Sequence, residues 1–82
     1  MEPHTARSAA ETAAREAWGR WLRARMDERG LSTRALAGAV GVSHAVAQAW
    51  TKGTYPGVNH LLALADALDV GAREIARAAA PP

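Results

Sequence analysis

Apolar residues recur at three- and four-residue intervals along most of the chain, which is the pattern of amphipathic helices. This spacing predicts five helices, over residues 9–29, 33–40, 44–52, 58–68 and 72–79. No segment alternates with the two-residue period of a β-strand. We therefore expect an all-α fold, a compact five-helix domain with an extended N-terminal helix.

The apolar positions of these helices predict the core. In the first helix they are Ala14, Trp18, Trp21, Leu22 and Met26. In the fourth they are Val58, Leu61, Leu62, Ala65 and Leu68. Across the second to fifth helices we expect eight side chains to be largely buried: Leu36, Val40, Val46, Trp50, Leu61, Leu64, Leu68 and Ile75. Trp18 and Trp50 are interpreted as core residues rather than base-stacking platforms, whereas Trp21 could also help to form a dimer surface.

The chain is expected to form a single domain over residues 9–80, preceded by a disordered or frayed segment over residues 1–8, where Pro3 and small residues bury little apolar area. Its 82 residues leave room for about one core. Gly19 falls inside the first helix, where it marks either close packing between helices or a break.

The most informative segment is the pair of short helices over residues 32–52. Ser32 and Ser43 are good N-cap residues for the two helices. Gly41 supplies the residue that tolerates a positive φ angle in a tight turn, and Ala37 is small enough to let the helices approach each other. Such a unit leaves the outer face of its second helix exposed, where it can enter a major groove.

Charge is distributed unevenly along the chain. The net charge is only +2, but residues 30–60 contain Arg34 and Lys52 and no acidic residue. A segment without carboxylates suits a surface that meets phosphates. The alternative is that this segment is simply buried.

Several other functions are a poor fit to the composition. The chain has no cysteine, and its three histidines have no metal-ligand spacing, so we expect neither a metal nor another cofactor. Residues 30–60 lack the acids needed for acid–base catalysis, and no glycine motif that cradles phosphate occurs, so we do not expect an enzyme. No apolar run reaches the ~20 residues of a membrane span, so no membrane association is expected.

One set of positions from Leu22 to Ile75 keeps an unbroken register. Its residues are Gly30-Leu31-Ser32, Leu36-Ala37, Gly41-Val42-Ser43, Trp50, Gly53, Pro56, Leu61, Leu64-Ala65, Ala67-Leu68 and Val70. In these positions the chain resembles the Cro/CI-type (xenobiotic-response-element, lambda-repressor-like) helix-turn-helix family. The resemblance implies a bundle of four or five helices that controls transcription by binding operator DNA, often as a dimer. We therefore expect a sequence-specific transcriptional regulator, a repressor, acting as a homodimer in the bacterial cytoplasm on the nucleoid.

Four positions depart from that family's pattern. Thr33 stands where many members have a glutamine that meets a phosphate, and Tyr55 stands where a basic residue is common. Met26 and Thr51 stand where an arginine and a glutamate often form an ion pair. Because both partners are replaced together, no charge is left without a partner.

The resemblance places the base-reading face on the helix that follows Ser43. This face consists of His44, Ala45, Gln48 and Ala49. Gln48 can pair with adenine N6 and N7, His44 can donate to guanine or to a phosphate, and the alanines can touch only thymine methyls. The residues expected to contact phosphates are Thr33, Arg34, Ser43, Lys52, Tyr55 and His60.

This face can therefore make only a few direct hydrogen bonds to bases. Either specificity comes from a few contacts plus DNA shape, or the helix serves another purpose. In the alternative reading, the protein is an interaction module, such as an antitoxin or an adaptor, that keeps the helix-turn-helix fold and binds a protein partner.

Overall fold

The chain folds into five helices joined by short turns. A computed structural model describes the backbone of residues 3–80 and the side chains of residues 8–80. Within these residues the elements are α1 (Pro3–Arg29), α2 (Thr33–Val40), α3 (His44–Thr51), α4 (Val58–Leu68) and α5 (Ala72–Ala78), with no strand. The predicted all-α class is thus confirmed. No helix in the described part of the chain is long and apolar enough to cross a membrane.

The first helix is longer than its apolar spacing predicts. It begins at Pro3 rather than near residue 9. Residues 1 and 2, which belong to the segment expected to be frayed, lie outside the described range. Proline is well tolerated in the first turn of a helix, and the alanines that follow are the best helix formers. A helix of 27 residues is about 40 Å long, which accounts for most of the molecule's longest dimension of 44 Å.

The short helices α2 and α3 begin and end where the local signals predict. The Ser32 hydroxyl accepts a hydrogen bond from the backbone N–H of Ala35 at 3.0 Å, and the Ser43 hydroxyl accepts one from Val46 at 3.2 Å. Between them Gly41 has a φ angle of 89°, which only glycine adopts without strain. Its N–H donates to the carbonyl of Ala37, which closes α2 before the chain turns into α3.

A single core joins all five helices. The large side chains that are fully buried are Trp18, Leu22, Leu36, Leu64 and Ile75. Trp50 is buried from α3 and Leu68 from α4, as predicted. Helix α2 packs against α3 and α4, while α1 lies across the bundle against α3, α4 and α5. Helices α1 and α2 therefore hold α3 by one face and leave its opposite face outside.

Two helices are rotated relative to the predicted burial. Val46 is 41% exposed, and Val58 and Leu62 are 82% and 67% exposed, so the expectation that these three are core residues is wrong. Val40 and Leu61 are half-buried. In α3 the buried positions are Ala47, Trp50 and Thr51, spaced as one face, and Val46 lies about 100° away from Ala47.

Gly19 marks close packing between helices and not a break. Helix α1 continues through it, and the residue is buried against the end of α3. A Cβ atom at Gly19 would lie 2.9 Å from the carbonyl oxygen of Thr51, inside the closest approach that carbon makes to oxygen. The absence of a side chain therefore lets α1 support the C-terminal end of α3.

Candidate nucleic-acid interface

The outer face of α3 is the predicted base-reading surface, and the structure leaves most of it accessible. His44, Ala45 and Gln48 are exposed, and Ala49 is half-buried. These residues lie one helical turn apart, opposite the buried Ala47 and Trp50. The helix thus presents two long polar side chains and two methyl groups outward.

Val46 is a member of this outer surface that the sequence pattern missed. Its side chain is 41% exposed, beside the polar residues of the first turn. The only signal in the sequence was the apolar run of residues 45–47, in which the neighbours Val46 and Ala47 compete for the core. An exposed valine adds apolar area that suits a thymine methyl group.

The residues expected at phosphates fall into two groups. Arg34, Ser43 and Lys52 are exposed around α2 and α3, and Thr33 is half-buried at the start of α2. The Ser43 oxygen caps α3 and still leaves its proton free to donate. No acidic residue occurs between residues 30 and 60, so α2 and α3 themselves contribute no carboxylate to this surface.

Tyr55 and His60 are held closer to the core. The Tyr55 ring lies 6.5 Å from that of Trp18, and its hydroxyl is buried with no hydrogen-bond partner among the described residues. This removes the Tyr55 hydroxyl from the accessible surface where a phosphate would bind. The His60 ring is half-buried, 5.7 Å from the ring of Trp50.

The end of α3 is fixed to α1 by a hydrogen bond that the sequence did not predict. The Arg23 guanidinium donates to the backbone carbonyl of Thr51, in the last turn of α3. A cation there satisfies a carbonyl that the helix leaves free and interacts favourably with the helix dipole. The Thr51 hydroxyl donates to the carbonyl of Gln48 at 2.7 Å. Arg23 therefore ties α1 to α3 from a position three residues before Met26.

Met26 and Thr51, which replace the family's ion pair, are both buried. They line a hollow of about 360 Å³ together with Arg23 and Thr33. The hollow lies between the end of α1, the start of α2 and the end of α3. No cluster that could hold a metal ion occurs among the described residues.

Comparison with known proteins identifies the family of this fold. The helix-turn-helix family model HTH_3 matches residues 22–75, about two thirds of the chain. Neither a search of curated proteins nor a search of solved structures finds a match. Members of the matched family are typically DNA-binding proteins and not enzymes. The chain therefore belongs to the Cro/CI-type helix-turn-helix family of DNA-binding regulators, with its all-α, lambda-repressor-like domain.

Proposed function

We propose that the protein is a sequence-specific transcriptional repressor that reads operator DNA with α3. The observation that carries this proposal is the position of α3 itself. Its inner face is buried through Ala47 and Trp50, while His44 and Gln48 stand exposed on a helix that carries no carboxylate. A helix held in this way can enter the major groove as a rigid unit. Repression then requires only that the bound protein occupies DNA needed by the transcription machinery.

Base recognition rests on few side chains. Gln48 pairs with adenine through N6 and N7, and His44 donates to guanine or to a nearby phosphate. Ala45, Ala49 and the exposed Val46 contact thymine methyl groups. With so few polar contacts, the shape and deformability of the site contribute a large share of the specificity.

Backbone contacts position this helix in the groove. Thr33 and Arg34 at the start of α2 and Ser43 and Lys52 at the two ends of α3 bind phosphates, and His60 offers the accessible part of its ring. Tyr55 is left out of this set because its hydroxyl is buried. Such contacts supply affinity and orientation without sequence information.

The protein binds as a homodimer, since one helix of this kind reads only a short half-site. Two half-sites about one helical turn apart match a two-fold symmetric protein. Val58 and Leu62, four residues apart on α4, are the large apolar side chains most exposed among the described residues. They offer the second copy a surface, and the complex acts in the bacterial cytoplasm on the nucleoid.

Selection from random duplexes followed by fluorescence anisotropy tests the proposal. We expect Gln48→Ala to lose about 1–3 kcal/mol at one base-pair position of the selected site. Ala49→Glu should abolish binding without unfolding the protein, because a carboxylate would meet the groove. If both variants bind the selected duplex as the wild type does, α3 is not the reading helix.

The two alanines of this face favour a second candidate function. A face with little capacity for hydrogen bonding to bases also suits a protein partner, as in an antitoxin or an adaptor. The dependence of binding on salt separates the two. Affinity for DNA falls steeply as salt rises, by about 0.9 in the logarithmic slope for each phosphate neutralised. Binding to mixed duplexes with no such slope would favour the protein-interaction module.

A further inference from the structure

The part of α1 that precedes the matched residues 22–75 carries a basic surface beside the end of α3. Arg15 and Arg20 are exposed on this part of the helix, and Lys52 is exposed directly after α3. Lys52 lies one turn beyond Gln48, on the same side of the helix. The cations of α1 therefore continue the surface that presents the base-reading face.

Backbone contacts fix α1 against the segment that follows α3. The indole N–H of Trp18 donates to the carbonyl of Thr54 at 3.0 Å. Gly53 has a φ angle of 113°, and a Cβ atom there would lie 3.0 Å from the carbonyl oxygen of Arg15. A buried indole and a close backbone approach thus set the backbone positions of Arg15 and Lys52 relative to each other.

These cations line two neighbouring hollows. One, of about 350 Å³, is lined by Arg15 and Lys52; the other, of about 300 Å³, is lined by Arg20, Arg23 and Lys52. Glu16 is the single acidic residue that lines them. Within residues 8–80, Arg15, Arg20 and Lys52 form no ion pair. The surface consequently has an excess of positive charge that the protein itself does not neutralise.

We propose that Arg15, Arg20 and Lys52 bind the phosphate backbone of the DNA that flanks each half-site, so that α1 extends the footprint beyond the base pairs that α3 reads. This inference rests on the proposed function. The two arginines lie about 140° apart around α1, and each lines a hollow together with Lys52. A DNA strand that meets Lys52 at the end of α3 would therefore pass between them. From Arg15 the helix continues for about 18 Å to Pro3, at about 1.5 Å per residue. These contacts add affinity without base specificity.

The test compares two duplexes that contain the same selected operator. One ends at the outer edges of the half-sites, and the other carries about ten more base pairs, one helical turn, on each side. We expect the wild type to bind the longer duplex at least about tenfold more tightly at low salt. The double variant Arg15→Ala/Arg20→Ala should bring the two affinities together and flatten the salt slope on the longer duplex by about two units per protomer.

Arg73→Ala/Arg77→Ala is the matched control, since it removes the same charge from α5. It should change both affinities by the same factor and keep the ratio of the two. Arg15→Lys/Arg20→Lys should retain most of the ratio, and circular dichroism should show unchanged helix content in all variants. A wild-type ratio near one, or a wild-type ratio kept by the alanine variant, would overturn the inference while the proposed function stands. A wild type that selects no operator would contradict both.

Discussion

Tyr55 is a candidate site residue to which the structure gives a different role. Its ring packs near Trp18, and its hydroxyl is buried without a partner among the described residues. Burying a hydroxyl in this way costs about 1–3 kcal/mol relative to leaving it in water. We therefore expect the phenol oxygen to reduce stability, while the ring packs against the core.

Replacing Tyr55 by phenylalanine keeps the ring and removes the buried oxygen. We expect Tyr55→Phe to raise the free energy of unfolding by about 1 kcal/mol, because no unpaired hydroxyl remains to be desolvated. Urea denaturation followed by tryptophan fluorescence measures this change. Affinity for the selected duplex should stay as in the wild type; a clear loss would return Tyr55 to the phosphate contacts.

Burial of individual side chains was predictable only where one apolar residue had no competitor nearby. Trp50 and Ile75 are the large apolar residues of their helices' inner faces, and both are buried as predicted. Val46 adjoins Ala47, and Leu62 adjoins Leu61, so the pattern allowed either neighbour to face the core. Tertiary packing decided between positions that differ by about 100° around the helix.

The contact between α1 and α3 determines how firmly α3, the proposed reading helix, is held. It consists of the close approach at Gly19 and the hydrogen bond from Arg23 to the carbonyl of Thr51. Both act on the last turn of α3, at the end opposite to the Ser43 cap. Helix α3 is only eight residues long, so its stability depends mainly on such tertiary contacts.

Two glycine-to-alanine substitutions separate helix propensity from this packing. Gly19→Ala should lower the free energy of unfolding by about 1–2 kcal/mol, since a Cβ atom would meet a backbone carbonyl and the gain in propensity is only about 1 kcal/mol. Gly38→Ala in α2 is the matched control, because a Cβ atom there meets nothing within 4 Å. It should raise the free energy of unfolding by up to about 1 kcal/mol. Thermal or urea melts compare the two, and equal stabilisation by both would disprove the close contact.

Helix ends were predictable where a short-range signal sets them. Ser32, Gly41 and Ser43 act on their own turns, and the structure places each in the expected cap or turn conformation. The start of α1 had no such signal. Residues 3–8 carry no apolar stripe, so periodicity could not detect the first turns of α1.

The folded domain leaves one pair of large apolar side chains exposed to water, and burying this pair would be favourable. Val58 and Leu62 lie on the outer side of α4, while Leu64 and Leu68 fill the core from its inner side. In the proposed homodimer this pair contacts the second copy. Apolar area removed from water there stabilises the dimer by about 25 cal/mol for each Å².

Leu62→Glu should therefore weaken binding to a duplex with two half-sites by at least about tenfold, which corresponds to 1.4 kcal/mol. The reason is that dimerisation would bury an unpaired carboxylate. Analytical ultracentrifugation should show two protomers on the duplex for the wild type and one for the variant. Ala24→Glu, which adds the same charge to an exposed position of α1, is the control and should leave the two-protomer complex intact. Two bound protomers with Leu62→Glu would exclude this surface.

The architecture as a whole followed from the register of residues 22–75, because many weak positions agree on one fold. The exposed positions on α3 that are proposed to read bases followed from the same register. The proposed dimer surface and the basic surface of α1 did not. The first depends on which side of an almost continuous apolar helix faces water, and the second on a turn in which Gly53 approaches Arg15.

Because α1 is unbroken from Pro3 to Arg29, it also fixes the direction in which the chain enters the domain at its amino end. Its second half is anchored in the core through Trp18, Leu22 and Met26, so its first half has a set orientation relative to α3. A group joined to this helix without a break would turn by about 100° and advance by about 1.5 Å with each residue inserted. The number of residues in α1 would thus decide on which side of the operator an attached partner stands.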